Sequence, residues 1–487
     1  MLESRKCVVY KFGGTSVAHP ENLGRLVQLV HGEEHRCVLL VVSALAGVTN
    51  LLVEMGELLA AKHTPDQKAQ LNHRLQAVEE KHLTLFTQCA QDAWLKIITT
   101  DFQTEFRALS AWIQELGKRN AAGSPAQAAD IDQILFYGER FSSKFIHSLL
   151  LAHQPPGQAE INWVDARRLI ATDERHGDAS PLWARSRECI EHHLTPILAH
   201  SQVVITQGFT GANKDGRTTT LGRGGSDFSA TFLAAALEAD EAQIWSDVDG
   251  ILTADPRTVD HVTTIHHLSY NQAESVARLG AKVLHPRCIA PVKKANIPLR
   301  VRNTARPEHP GTSINQSLPA ERRTLITGKE EALLFHQERP LDQGVGWPSG
   351  EWQKLPSGHP PLAMSYAGHE WTIVSEDLPD WRHWWNHARH REAAAEAGRH
   401  RAPAGITPCA FIYVMCTRAG EASPTARALH ILQNQTLLFH SRSADETSLA
   451  LAVPRADFDS TVQLLHLALV QSEDPETEPL TAELSSV

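Results

Sequence analysis

No apolar run in the 487-residue chain approaches the roughly 20 residues that cross a bilayer. The longest, over 37–48, is about a dozen. The opening MLESRK is followed by no apolar leader. These two absences predict a soluble, cytoplasmic protein with no membrane partner. Basic charge is also short, with 46 Lys and Arg against 56 Asp and Glu, net −10. Neutralising phosphates takes clustered cations, so nucleic acid is not expected as the main partner. The seven cysteines are odd in number and never spaced as C-x-x-C, which argues against a disulfide framework or a zinc site and for thiols in a reducing compartment. Nor is there a P-loop, since G-x-x-x-x-G-K-[ST] occurs nowhere. Among 27 histidines, His383, His387 and His390 could share a helix face. Their basic, Trp-rich surroundings read as an exposed helix, and no metal site is expected.

What is present is a chain able to bury a proper core, 42% hydrophobic and 21% charged. At roughly 100–200 residues per domain, its length predicts two to four domains. Residues 1–315 alternate strands and helices. Short apolar strands are predicted at 8–12, 37–43, 203–208, 243–248 and 297–303, and apolar helices at 226–237 and 272–284. The run over 37–43 reads as a strand buried on both faces of a parallel sheet. Residues 66–120 read as a long amphipathic helical lobe outside that sheet. The pattern predicts an α/β sheet covered on both sides.

Composition shifts beyond residue 315. The stretch 316–400 is a Pro-, Gly- and Trp-rich segment followed by a polar linker, with six of the 11 tryptophans between Trp347 and Trp385. Those tryptophans read best as packing for an irregular core. Order returns over 401–470 with a β-α-β-β-α pattern: a strand at 410–416, a helix opened by Ser423-Pro424, strands at 436–440 and 448–453, and a helix over 457–469. That order predicts an α+β ferredoxin-like module. The tail, 471–487, holds five acids and no base and is expected to be disordered.

Four clusters stand where strands meet helices, the place where α/β folds bind ligands. Lys11-Phe12-Gly13-Gly14-Thr15-Ser16 ends the first strand, and its glycines let backbone N–H groups approach an anion. Gly222-Arg223-Gly224-Gly225-Ser226-Asp227 opens a helix whose N-terminus is a ready anion site, with Arg223 shaped for a carboxylate. Trp245-Ser246-Asp247-Val248-Asp249-Gly250 leads to Asp255-Pro256-Arg257, and Gly280-Ala281-Lys282-Val283-Leu284-His285-Pro286 sets a lysine in an apolar helix end. Smaller pieces are Ser43 with Thr49, and Gly138-Glu139 in a helical run. Taken singly, each reads equally well as a tight turn, a cap or a snorkelling side chain.

Their order along roughly residues 7–315 resembles the aspartate kinases of the amino-acid kinase superfamily. That resemblance implies a three-layer αβα sandwich followed by α+β ACT-like modules. It implies transfer of the ATP γ-phosphoryl group to the side-chain carboxylate of L-aspartate, the first step toward lysine, threonine and methionine. By the resemblance, Lys11, Asp227 and Lys282 are catalytic. Ser43, Thr49, Glu139, Arg223, Gly224, Gly225 and Ser226 hold aspartate. Lys11, Gly13, Gly14, Ser246, Asp247, Leu252, Arg257, Lys282 and Val283 line ATP. Mg2+ arrives with the nucleotide, without a protein metal site. Two rivals stay open. One is a kinase of the same fold acting on glutamate or N-acetylglutamate, which substrate competition separates. The other is a non-catalytic sensor, which the loss of Lys11 or Asp227 would have favoured; both are present.

Leu252 stands where relatives often carry Tyr, and Ser246 where Thr is common. The larger departure is regulatory. Where the effector-binding helix of a first ACT module should begin, the chain reads Pro340-Leu341-Asp342-Gln343-Gly344 and continues through Pro348 and Gly350, which breaks a helix. Feedback by lysine or threonine is therefore expected to be weak or lost. A homodimer through ACT modules is implied only weakly. No dinucleotide-binding G-x-G-x-x-G opens the stretch after residue 315, so no fused dehydrogenase is expected.

Overall fold

The computed structural model describes residues 6–33, 36–90, 92–154, 160–281, 283–317, 322–338, 356, 360–367, 370–385, 404–417, 424–443 and 447–471. The chain divides into two compact units, one formed by residues 1–250 with 283–316, the other by 251–282 with 317–487. The segment 251–282, read above with the first domain, thus groups with the second unit.

In the first unit the main sheet holds the strands β1 (Cys7–Phe12), β2 (Cys37–Val42), β3 (Glu160–Trp163), β4 (Ser201–Gln207), β5 (Glu241–Ser246), β6 (Leu299–Asn303) and β7 (Thr312–Asn315), of which β2 is a continuous apolar run. They lie in the order β3–β4–β2–β1–β5–β6–β7. All neighbours are parallel except β6 and β7, which are antiparallel. Every residue of β2 and β4 is buried, as expected of central strands covered on both faces. From β1 the chain moves to β2 on one side, while β5 adds on the other. The carboxyl ends of β1 and β5 therefore flank a topological switch point, where such sheets open a crevice.

Helices α1 (Pro20–His31), α2 (Val48–Ala60), α3 (Gln67–Cys89), α4 (Asp92–Ala121) and α5 (Ala128–Ala152) bury their apolar stripes with Val8, Tyr10, Phe12, Val38, Leu40 and Val42. The alternate residues Val9, Leu39 and Val41 are fully buried on the opposite face. There α6 (Gly225–Leu237) packs on β1, β2 and β5. The lobe expected over 66–120 is broken into two helices after Cys89, where Ala90 turns extended. The helix α5 runs 25 residues from an N-terminal capping box at Gln127 and Asp130, and its middle is almost wholly buried.

The second unit is built on a six-stranded antiparallel sheet of β8 (Thr324–Glu338), β9 (Ala363–Ala367), β10 (Glu370–Glu376), β11 (Ala404–Cys416), β12 (Phe439–Arg442) and β13 (Ser448–Val453). Its order is β9–β10–β8–β11–β13–β12. The unit also holds a short strand at His267–Ser269, a helical turn over 379–385, and the helices α7 (Tyr270–Leu279), α8 (Pro424–Ile431) and α9 (Phe458–Leu469). The expected helix over 272–284 stops at Leu279 because Gly280 takes φ +149° against the backbone of Gly328. The order β11–α8–β12–β13–α9 is the β-α-β-β-α pattern read in the sequence, with Ile412, Val414, Leu449, Leu451, Val462 and Leu465 in one core. Trp381, Trp384 and Trp385 are buried with Leu333, Phe335 and Ile373, which is the packing role expected of them. The side chain of Trp371, the segment around Trp347 and Trp352, His387 and His390, the 389–401 linker and the tail beyond Gln471 lie outside the described residues.

Candidate active site

The loop after β1 is pinned on two sides. Phe12 stacks face to face on Trp245 of β5 at 5.6 Å, and the Gly13 N–H donates to the Trp245 carbonyl at 3.1 Å. Thr304 Oγ1 lies 2.7 Å from Ser16 Oγ. Gly14 meets the loop after β2, where the Ala46 N–H donates to its carbonyl at 3.2 Å. A Cβ on Gly14 would sit 2.7 Å from the Ala44 carbonyl oxygen, so no other residue fits there without parting the two loops. The glycine pair lets two strand ends converge, and it sits at the carboxyl ends of β1 and β2 beside the switch point.

Lys11, near the end of β1, extends across to α6, where its Nζ lies 2.5 Å from Asp227 Oδ1. One residue earlier, Ser226 Oγ donates to Glu139 Oε1 at 2.5 Å, bringing the middle of α5 to the same helix end. Gly208, after β4, makes room for this contact. A Cβ there would lie 2.7 Å from Ser226 Cβ and 3.1 Å from Glu139 Oε2. Glu139 is 4% exposed, and burial pushes its carboxyl up to about 8. The Ser226 hydrogen bond and the Lys11 charge oppose that shift, while the Asp227 charge adds to it. So Lys11, Glu139, Ser226 and Asp227 form one cluster at the N-terminus of α6. The helix has Gly224, with φ +71°, as the N-cap residue just before it, and no side chain caps that end. Its first turn offers the positive end of the helix dipole to an anion. Arg223 stands exposed between Gly222 and Gly224, both left-handed, and makes no ion pair or hydrogen bond among the described residues.

Ser43 and Thr49 are half-buried at the end of β2 and the first turn of α2. The Ser43 N–H donates to the Phe12 carbonyl at 3.1 Å, placing it beside the β1 loop. At the end of β5, Ser246 Oγ donates to Asp247 Oδ1 at 3.1 Å. Val283 is half-buried in the first unit. Leu252 and Arg257 belong to the second unit, where the Arg257 guanidinium is paired with Asp255 of its own turn. Lys282 lies outside the described residues.

The matching family model is that of the amino acid kinase family, over residues 6–303. The chain belongs to that family, among its aspartokinases. Lysine-sensitive aspartokinase 3 of Escherichia coli strain K12 is 32% identical over 332 residues, which are 68% of this chain and 69% of that protein. The aspartokinase of Chlamydia pneumoniae is 32% identical over 307 residues, 63% of this chain and 62% of its own length. Among solved structures, E. coli aspartokinase III in complex with lysine and aspartate superposes with a TM-score of 0.69 at 25% identity, covering 95% of this chain and 99% of that one. The same enzyme in complex with aspartate and ADP gives a TM-score of 0.76 at 24% identity, which shows the shared fold.

Several polar residues of this kinase escaped the sequence reading. Asp132 is 1% exposed on α5 and accepts hydrogen bonds from Thr220, His176 and Gly177. Asp178, His285 and Arg287 surround the Arg223 turn. His285 belongs to the lysine motif quoted from the sequence but is given no role there, whereas nothing near Asp132 or Asp178 in the chain marks them.

Proposed function

We propose that this protein is an aspartate kinase, transferring the γ-phosphoryl group of ATP to the side-chain carboxylate of L-aspartate to give 4-phospho-L-aspartate and ADP. The observation that carries the reading is the cluster of Lys11, Asp227, Glu139 and Ser226 at one helix N-terminus, beside the Gly13-Gly14 loop, in a chain of aspartokinase kin.

Donor and acceptor are both anionic, and at about 4 Å with an effective dielectric near 20 each like-charge pair costs roughly 4 kcal/mol. The chemistry is a displacement. A carboxylate oxygen bonds to the γ-phosphorus as the bond to the β,γ-bridging oxygen breaks, and that electron pair leaves with ADP. The acceptor is already ionised at neutral pH, so no general base is required. What the protein must supply is position and local positive charge. Lys11 is that charge, held by Asp227 before substrate arrives. The Gly13 and Gly14 amides and the first turn of α6 add fixed donors near it. Arg223 offers a planar fork to the substrate α-carboxylate, and Glu139 gives up its proton to meet the substrate ammonium. Mg2+ carried by the phosphates would offset the charge that develops on them.

We extend the reading to weak feedback, because Pro340, Gly344, Pro348 and Gly350 interrupt the helix that an effector site requires. That segment lies outside the described residues, and the argument rests on its sequence. One assay tests both parts: MgATP with L-aspartate, trapping the acyl phosphate as hydroxamate, with and without millimolar lysine or threonine. Aspartate-dependent hydroxamate is expected, unchanged by either effector. Its absence would remove the kinase reading, and strong inhibition would remove the regulatory one.

A further inference from the structure

The turn that presents Arg223 is gripped at successive points by residues with no part in the transfer scheme above. Thr220 Oγ1 donates to Asp132 Oδ1 at 2.5 Å. The next carbonyl, that of Leu221, accepts from Arg287 Nη1 at 2.9 Å. Gly222 passes so near the loop over 173–181 that a Cβ on it would lie 2.5 Å from Asp178 Oδ1. Gly224 lies against His285, where a Cβ would fall 2.3 Å from His285 Cβ.

Arg287 ties these grips together. The Nη1 that holds the Leu221 carbonyl also lies 2.7 Å from Asp178 Oδ1. Its guanidinium sits 5.0 Å over the ring of Phe228, in the first turn of α6. Its own N–H donates to His285 Nδ1 at 3.3 Å, which fixes the short 3-10 turn Pro286–Cys288. One side chain thus joins the Asp178 loop, the start of the Arg223 turn and the helix that follows it. Arg223 lacks any described partner of its own, so the path of this turn sets where its guanidinium points.

We propose that Arg287, braced by Asp178, is a positioning residue that aims Arg223 at the substrate α-carboxylate. The proposal rests on the aspartate kinase reading. The α-carboxylate is remote from the transferring phosphoryl group, so misplacing Arg223 weakens ground-state and transition-state binding alike and appears in KM. Among the described residues Arg287 makes no hydrogen bond or ion pair with Lys11, Glu139, Ser226 or Asp227, its partners being Asp178, Leu221, His285 and Phe228, so the chemical step is affected far less.

Arg287→Ala is expected to raise the aspartate KM by about tenfold or more, the loss of a charge-assisted hydrogen bond to a structured turn. The fall in kcat is expected to be much smaller, and the KM for ATP to stay near wild type. Arg287→Lys keeps a charge for Asp178 but not the planar stack on Phe228, and should recover part of the loss. Asp178→Asn should shift the aspartate KM in the same direction by less. Aspartate titration by calorimetry, beside melting temperatures, separates positioning from mere stability. Variants that melt lower but bind aspartate with unchanged KM and Kd overturn the proposal, and Arg287→Lys with Asp178→Asn carry the test if Arg287→Ala does not fold. A wild type without aspartate-dependent hydroxamate would instead remove the kinase reading, and this proposal with it.

Discussion

Lys11 Nζ and Asp227 Oδ1 lie 2.5 Å apart, joining the end of β1 to the first turn of α6, with their side chains 11% and 16% exposed. A largely buried ion pair is weak evidence for stability, because desolvation offsets much of the attraction. Its value here is geometric. The lysine is held in one direction at the helix end where an anion is favoured, and the aspartate keeps that end from being over-charged while it is empty.

Removing the lysine tests that role directly. Lys11→Ala is expected to cut turnover by about 10²–10³, the scale of losing one preorganised donor to developing charge. The uncompensated Asp227 left behind should add an aspartate-binding defect through repulsion. ADP release at saturating aspartate and ATP reads the first effect, and near-normal turnover would take Lys11 out of the mechanism.

Glu139 predicts a pH dependence whose sign is fixed by its burial. Its carboxyl is pushed up to about 8, so the folded protein keeps a proton that the unfolded chain releases in the ordinary carboxyl range. Between those two points the folded state binds more protons than the unfolded one, and stability falls as pH rises through about 8. Glu139→Gln stays neutral throughout. Its stability relative to wild type should therefore climb between pH 5 and pH 9 in denaturant titrations. If the ionised carboxylate receives the substrate ammonium, wild-type kcat/KM for aspartate rises across the same interval, and the glutamine variant stays low and flat. Parallel profiles in both proteins would dismiss the residue as the titrating group.

Much of this site is legible in the chain because its signals are local. The Gly-Gly loop after β1, the helix opened by Gly224 to Asp227, and Glu139 in a helical run each depend on neighbours within a few residues, and the structure unites them. The break between α3 and α4 was hidden, since the amphipathic period runs on across it with no Gly or Pro to stop it. Asp132 and Arg287 were hidden for another reason. Each works through partners dozens of residues away, Thr220 for one and Asp178 with Leu221 for the other. The grouping of 251–282 with the second unit is likewise a tertiary outcome, because its apolar helix looks like one more helix of the preceding α/β pattern. Leu252 and Arg257 went with it.

Gly14→Ala probes the convergence of the two strand-end loops. The added methyl would meet the Ala44 carbonyl at 2.7 Å, a backbone atom that cannot rotate away. Relief requires the β1 and β2 loops to part, displacing the Gly13 and Gly14 amides from any phosphate between them. The expected result is a KM for ATP raised about tenfold or more, together with a stability loss of about 1–3 kcal/mol from overpacking. An unchanged KM for ATP would show that this loop does not hold the nucleotide.

His82 makes the helical lobe acid-sensitive, independently of catalysis. It is fully buried between Phe86, Phe102 and Phe141, stacked on Phe102 at 5.0 Å, with Nδ1–H donated to the Val78 carbonyl at 2.7 Å. Burial pulls its pKa down to about 4; the Val78 hydrogen bond works against that, and the Lys81 charge works with it. The folded state therefore keeps the ring neutral while the unfolded chain protonates it below about 6.5. Its stability contribution is whole above that value and is lost as pH falls toward about 4, a total of about 3 kcal/mol at roughly 1.4 kcal/mol per pH unit. His82→Phe keeps an aromatic ring in the cluster and cannot titrate. Denaturation at pH 7 and pH 4.5 should show the wild type losing more stability than the variant, other groups cancelling in the difference. Equal losses would mean that the lobe opens to admit the proton before the rest of the unit unfolds.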